Sequence, residues 1–110
     1  MSKDGTEDGA AAALFAALGD GTRLGLLRRL GDGAPHSIAR LSEGTGLTRQ
    51  AVTKHLHVLE HAGLVASARS GRESLYCLEP GALGTARLYL DSVSAQWDAA
   101  LARFQDFVER

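Results

Sequence analysis

The stretch Gly46-Leu47-Thr48-Arg49-Gln50-Ala51-Val52-Thr53-Lys54-His55-Leu56-His57-Val58-Leu59-Glu60-His61-Ala62-Gly63-Leu64-Val65 reads as a helix with a marked start, two faces of opposite character and a marked stop. Thr48 is a good N-cap, because its hydroxyl can satisfy one of the free N–H groups of the first turn. Gly63 suits the left-handed position just past a helix end. At about 100° per residue, Val52, Leu56 and Leu59 fall together, with Ala51, Val58 and Ala62 beside them. The opposite arc carries Arg49, Gln50, Thr53, Lys54, His57, Glu60 and His61, of which only Glu60 is negative. One side therefore packs on a core, and the other offers donors to something outside. Short, donor-rich side chains near the N-terminal end of such a helix fit a DNA major groove. The alternative is an amphipathic helix whose outer face is merely solvated, and the neighbouring segments decide between the two.

Upstream, the pattern predicts a two-turn helix capped by Ser37, with Ile38 and Leu41 facing inward, followed by a tight turn at Gly44-Thr45-Gly46. Two helices joined by a short Gly-containing turn form a helix-turn-helix, and the second helix is the one with the donor face, which is the order that groove reading requires. Downstream, residues 64–69 and 73–78 read as two strands around the loop Ser70-Gly71-Arg72, a hairpin. Arg69 and Arg72 at its tip make it a wing that can reach backbone phosphates or the minor groove.

The rest of the chain supports this core. Residues 1–9 read as a loose polar tail, and residues 10–18 as a helix of strong formers with Leu14, Phe15 and Leu18 on one stripe. Asp20 caps a further helix that reaches about Leu30, with Leu24, Leu27 and Leu30 recurring every three residues and Leu26 widening the stripe. Gly25 in its middle costs about 1 kcal/mol against Ala, which suggests a close neighbour there. Gly31-Asp32-Gly33 stops that helix, and Pro35 keeps the linker extended.

After Pro80 a heptad-like pattern runs through Leu83, Ala86, Leu90, Val93, Trp97, Leu101, Phe104 and Val108, widened by Tyr89, Ala100 and Phe107. The rod would be about 35–40 Å long, whereas a compact domain of this size has a radius of gyration near 13 Å. One small core cannot cover that stripe. Leu14, Phe15, Leu18, Leu90, Val93, Trp97, Leu101 and Phe104 are therefore expected at a homodimer interface; the alternative is a helix folded back on its own domain. The expected architecture is mainly α with a small β-hairpin, in the order α-α-α-α-β-β-α. Residues 1–9 form the tail, 10–79 a winged helix-turn-helix DNA-binding unit, and 80–110 a long C-terminal dimerisation helix, all within one domain.

Composition sets bounds. The 110 residues suffice for one core. A net charge of −1 decides nothing about nucleic acid, since local positive charge is what matters. A single cysteine excludes an internal disulfide and a multi-cysteine zinc site. The first nine residues lack a secretory pattern and the longest apolar run is far short of the roughly 20 residues that span a bilayer, so a cytoplasmic protein without membrane contact is expected. No Ser-His-Asp set, Gly-rich phosphate loop or metal triad is visible, which argues against an enzyme.

Particular runs resemble the ArsR/SmtB family of repressors: Leu18-Gly19-Asp20-Gly21-Thr22-Arg23-Leu24, then Leu47-Thr48-Arg49-Gln50-Ala51-Val52-Thr53-Lys54-His55-Leu56, then Leu59-Glu60-His61-Ala62-Gly63-Leu64-Val65 and Gly71-Arg72. The resemblance covers roughly residues 10–79 in motif and the final helix in length. Gly21 departs from it, since the family usually has proline there. The resemblance implies a homodimeric winged helix-turn-helix transcriptional repressor, often released from DNA by metal. The metal part does not carry over. Where the family's arsenic and cadmium sensors have a Cys-Val-Cys run, this chain has Ser37-Ile38-Ala39. The zinc sensors' set on the last helix falls near Asp91, Val93, Phe104 and Phe107, of which only Asp91 is a possible ligand. Neither kind of metal site nor any other cofactor is expected, and a small-molecule inducer stays unassigned.

Double-stranded DNA is thus the expected partner, with an inverted-repeat operator. The candidate contacts are Thr48, Arg49, Gln50, Thr53, Lys54 and His57 on the helix and Arg69 and Arg72 on the wing. Gln can bind adenine bidentately, and Thr can meet a base or a thymine methyl. Thr48 and Arg49 could equally hold phosphate at the helix start. The competing reading is a winged-helix module for protein–protein contact, which the wing arginines oppose. His55 falls inside the apolar arc and reads as a partly buried structural residue. His57 and His61, four apart, lack a third metal ligand. Cys77 reads as a small core residue rather than a redox sensor, and Trp97 as core or interface.

Overall fold

The computed structural model describes residues 3–110, with side chains from residue 9 onward. The elements run α1 (Lys3–Leu18), α2 (Gly21–Arg29), a 3-10 turn (Leu30–Asp32), β1 (His36–Ser37), α3 (Ile38–Ser42), α4 (Arg49–His61), β2 (Val65–Ser70), β3 (Glu73–Leu78) and α5 (Ala82–Val108). The expected order holds with one addition, the two-residue β1. It pairs antiparallel with β3, His36 opposite Tyr76 and Ser37 opposite Leu75. The sheet order is therefore β1-β3-β2, and the wing is a three-stranded sheet. A two-residue strand after Pro35 has no periodicity to read, and its partner lies far along the chain.

Helix starts follow the capping residues. The Asp20 carboxylate accepts the Arg23 N–H at 3.0 Å, the Ser37 hydroxyl accepts that of Arg40 at 3.1 Å, and the Thr48 hydroxyl accepts that of Ala51 at 3.1 Å. Helix α4 ends in a Schellman arrangement: Leu64 N–H donates to the Leu59 carbonyl at 2.9 Å and Gly63 N–H to that of Glu60 at 3.0 Å. Gly63 has φ 80°, which only glycine adopts without strain. The helix α1 begins earlier than the sequence suggests. Residues 3–9 are helical rather than a loose tail, because extending an established helix costs little per residue; Met1 and Ser2 lie outside the described residues.

One core joins these elements. Leu26, Leu30, Leu41, Val52, Leu56, Leu59, Leu64, Val65 and Tyr76 are buried in it, with Leu14 and Ala17 from α1 and Ala86 from α5. Three residues lie otherwise than their pattern predicts. Leu24 is exposed and Leu26 takes the inward position on α2. Val58 lies on the outer side of α4 at 42% exposure. Leu14, expected between two chains, is 6% exposed and belongs to its own core, with Phe15 and Leu18 half-buried against it. A Cβ built on Gly25 meets nothing within 4 Å, so no close neighbour explains that glycine.

Beyond Tyr89, which packs against Phe15 of α1, α5 leaves the body. The molecule measures 67 × 33 × 22 Å with a radius of gyration of 18.4 Å, well above the roughly 13 Å of a compact chain of this length. From Leu90 onward α5 carries Leu90, Trp97, Leu101, Phe104, Phe107 and Val108 at 53–71% exposure, so Trp97 is no part of the core. Among the described residues no single helix is long and apolar enough to cross a membrane.

Candidate nucleic-acid interface

The turn before α4 is built from local bonds. The Thr45 hydroxyl donates to the Ser42 carbonyl at 2.7 Å and accepts the Leu47 N–H at 3.1 Å, between Gly44 and Gly46, both at φ 75°. Arg29 reaches from α2 to donate to the carbonyls of Leu41, at 3.0 Å, and Glu43, closing the C-terminal end of α3. Val52, Leu56 and Leu59 then seat α4 on the core at essentially zero exposure. Burying each stabilises the seat by about 1.5–3 kcal/mol, so the polar face is held out by packing.

That face, the start of α3 and the base of the wing enclose an open cleft of about 740 Å³, to which Arg49, Gln50, Thr53, Lys54, His57 and Arg72 contribute side by side. Six of the eight candidate contacts thus share one surface. Among the described residues the side chains of Arg49, Gln50, Lys54, His57 and Arg72 make no hydrogen bond or ion pair. Thr53 differs: its hydroxyl donates to the Arg49 carbonyl at 2.7 Å, which leaves its methyl and an acceptor lone pair for the cleft. Thr48 is outside the lining, and its hydroxyl is taken by the cap.

The wing turn has Gly71 at φ 63° followed by Arg72 without positive φ, the II′ arrangement that suits a two-residue hairpin loop. Arg69 is opposite Ser74 and exposed, so it stands on the cleft-side face of the hairpin but outside the cleft itself. Ser37, Ile38, Ala39, Glu73 and Ser74 line the same cleft without being among the candidate contacts. The signal was available only for Ser37, as a cap; the β1–β3 pairing that brings it to the wing was not. Glu73 puts one negative charge on this wall.

The wing is fastened to α4 at its far end, where the Ser67 hydroxyl donates to Glu60. Tyr76, 3% exposed, packs inward beneath it, and burial first, the Glu60 charge second, push its phenol above the usual value. Cys77 alternates to the other face, opposite Ala66, and is half-buried rather than a core residue. His55 is partly buried, with its Nδ1 3.4 Å from Arg23 Nη1 and 3.9 Å from the Asp20 carboxylate, in the structural role expected of it. His57 and His61 share a shallow groove with Val58 and three alanines of α1. Among the described residues no three His, Cys, Asp or Glu side chains cluster as a metal ion would need.

A helix-turn-helix backed by a three-stranded wing, with the outer face of its second helix open and donor-rich, defines a winged helix-turn-helix nucleic-acid-binding module. Comparisons with known proteins agree. A family model described as a helix-turn-helix domain matches residues 18–68. The HTH-type transcriptional regulator Rv2034 of Mycobacterium tuberculosis is 34% identical over 93 residues, which span 84% of this chain and 83% of that protein. An ArsR-like transcriptional regulator from Rhodococcus sp. RHA1 superposes with a TM-score of 0.78 at 36% identity, covering 90% of this chain and 92% of that one. The homodimeric winged helix-turn-helix DNA-binding domain Mb0332 from Mycobacterium bovis, a possible ArsR-family regulator, superposes with a TM-score of 0.69 at 25% identity, covering 87% of each chain. The chain belongs to the ArsR-like family of winged helix-turn-helix transcriptional regulators. It is a transcriptional regulator with a DNA-binding fold, and the resemblance read from its motifs holds.

Proposed function

We propose that two copies of this chain pair through α5 and act as a repressor, each laying one α4 into successive major-groove faces of an inverted-repeat operator. The observation that carries the reading is the open cleft, where Arg49, Gln50, Thr53, Lys54, His57 and Arg72 stand together, all but Thr53 without a side-chain partner among the described residues. Gln50 and Lys54 read base edges, Thr53 meets a thymine methyl, and Arg49 and Arg72 hold phosphates. Thr48 presets the helix start, and Arg69 reaches the flanking backbone. Pairing is supported by the apolar side of α5, whose Trp97, Leu101 and Phe104 are 62–68% exposed in the single chain, and by the homodimeric state of the Mycobacterium bovis relative. Phe15 and Leu18 have only part of their surface left for a partner, and Leu14 none to speak of.

Two-fold symmetry places the half-sites about 34 Å apart. With three or four phosphate contacts per chain, log affinity falls against log salt with a slope of roughly −5 to −7. The test is binding of the purified protein to DNA enriched from random sequence, across a salt series. Gln50→Ala changes the preferred sequence, whereas Arg72→Ala, which removes one phosphate contact from each of the two chains, weakens all sequences alike and flattens the slope by about two. An Arg72→Ala protein with unchanged affinity and slope removes the wing from the interface.

A further inference from the structure

The junction behind the reading helix contains a cluster that DNA contact does not use. Arg23, on α2, spreads its guanidinium over two elements. Nε donates to the Ala17 carbonyl at 2.7 Å and Nη2 to the Ala16 carbonyl at 3.2 Å, closing the C-terminal end of α1. Nη1 points to Nδ1 of His55 on α4 at 3.4 Å. Asp20, which caps α2 over the backbone N–H of Arg23, places its carboxylate 3.9 Å from the same ring nitrogen. Among the described residues, Asp20 and Arg23 are the charged groups beside the ring, and the Ala16 and Ala17 carbonyls of α1 are taken by Arg23.

The chemistry of this arrangement is asymmetric. Guanidinium has donors and no acceptor, so the Arg23–His55 contact exists only while Nδ1 is bare and the ring proton sits on Nε2. A second proton on the ring abolishes the contact, sets two cations against each other and makes Asp20 the ring's partner instead. The same end of α1 is also tied to α5, because the Phe15 and Tyr89 rings pack at 5.6 Å between centroids. The planar fork of arginine serves both α1 and α4 at once, which the single ammonium of lysine cannot do.

We propose that Arg23 is a positioning residue for DNA reading: it fixes α4 against α1 through neutral His55, and protonation of His55 releases that hold and lowers sequence discrimination. The proposal rests on α4 being the DNA-reading helix. Two measurements test it. Long-range proton–nitrogen NMR of the imidazoles at pH 8 is expected to show His55 as the Nε2–H tautomer. Binding is then measured for a duplex enriched from random sequence and for its scrambled version, at pH 8 and 5.5 and one ionic strength. The wild-type ratio of specific to scrambled affinity is expected to fall about three- to tenfold on acidification, the worth of roughly one hydrogen bond.

His55→Gln, which keeps an acceptor but cannot take up a proton, flattens that fall. Arg23→Lys shows the lowered ratio already at pH 8. Contributions from His57 and His61 are common to the wild type and His55→Gln, so the comparison cancels them. An Nδ1–H tautomer at pH 8, or equal falls in wild type and His55→Gln, overturns the positioning role. If no duplex is enriched at all, the DNA-reading proposal itself falls.

Discussion

At the scale of single residues, most of what holds the reading helix is already decided by hydroxyls and carboxylates. Thr48 does not need to touch DNA to matter, since its oxygen satisfies the Ala51 N–H. Thr48→Ala is expected to cost about 1 kcal/mol of stability in urea unfolding, with Thr48→Ser recovering most of it. Acid sensitivity has two identifiable sources. Asp20 is held below the usual aspartate range chiefly by accepting the Arg23 backbone N–H, and Asp32 chiefly by its 2.9 Å hydrogen bond with His36. Depressed carboxyls contribute stability above their unfolded pKa, about 3.9, and lose it as pH falls through the folded value. The melting temperature should therefore drop below about pH 4, and Asp32→Asn should narrow that drop; an equal acid loss in the variant would exclude Asp32 as a source.

At the scale of elements, the core face of α4 sets the angle at which its polar face is offered. Leu56 has no exposed surface, and Leu56→Ala should cost about 2–5 kcal/mol in chemical denaturation, far more than any change on the outer face. The caps, the helix-turn-helix and the hairpin were legible because each has a local signature: Ser37 and Thr48 at starts, Gly63 at a stop, Gly71 in a two-residue turn. Other features depended on contacts between distant segments. Leu24 and Leu26 both fit an apolar stripe on α2, and only the neighbours of α2 decide that Leu26 goes inside. Val58 lies about 100° round α4 from the nearest buried residue, Leu59, so its apolar character alone does not place it in the core. In the cleft, Gln50, Lys54 and Arg72 were readable from the donor face and the wing tip, but Ile38, Ala39 and Ser74 enter only because β1 pairs with β3.

At the scale of the whole molecule, an extent of 67 Å for 110 residues means that one end of α5 has no body of its own to lie on. Trp97, Leu101 and Phe104 there present an apolar side to whatever surrounds it. Replacing Leu101 with Glu places a charge in the middle of that side, at a cost of desolvation that a pair of chains would have to meet twice. Sedimentation of Leu101→Glu should give the monomer mass at concentrations where the wild type is a dimer. A dimer of undiminished strength would move the interface elsewhere.

The two-residue strand β1 also fixes an order of events in folding. The β2–β3 hairpin closes over two residues, and the helices form from neighbours in the chain, so both arise in microseconds. The rung between His36 and Tyr76 should form after α3, α4 and β2 have brought their ends together, because loop closure over so long a span is unfavourable until the contacts inside it exist. Substitutions at that rung should then leave the refolding rate nearly unchanged and act almost wholly on unfolding, so the seam between wing and helix-turn-helix is the last part to set and the first to open.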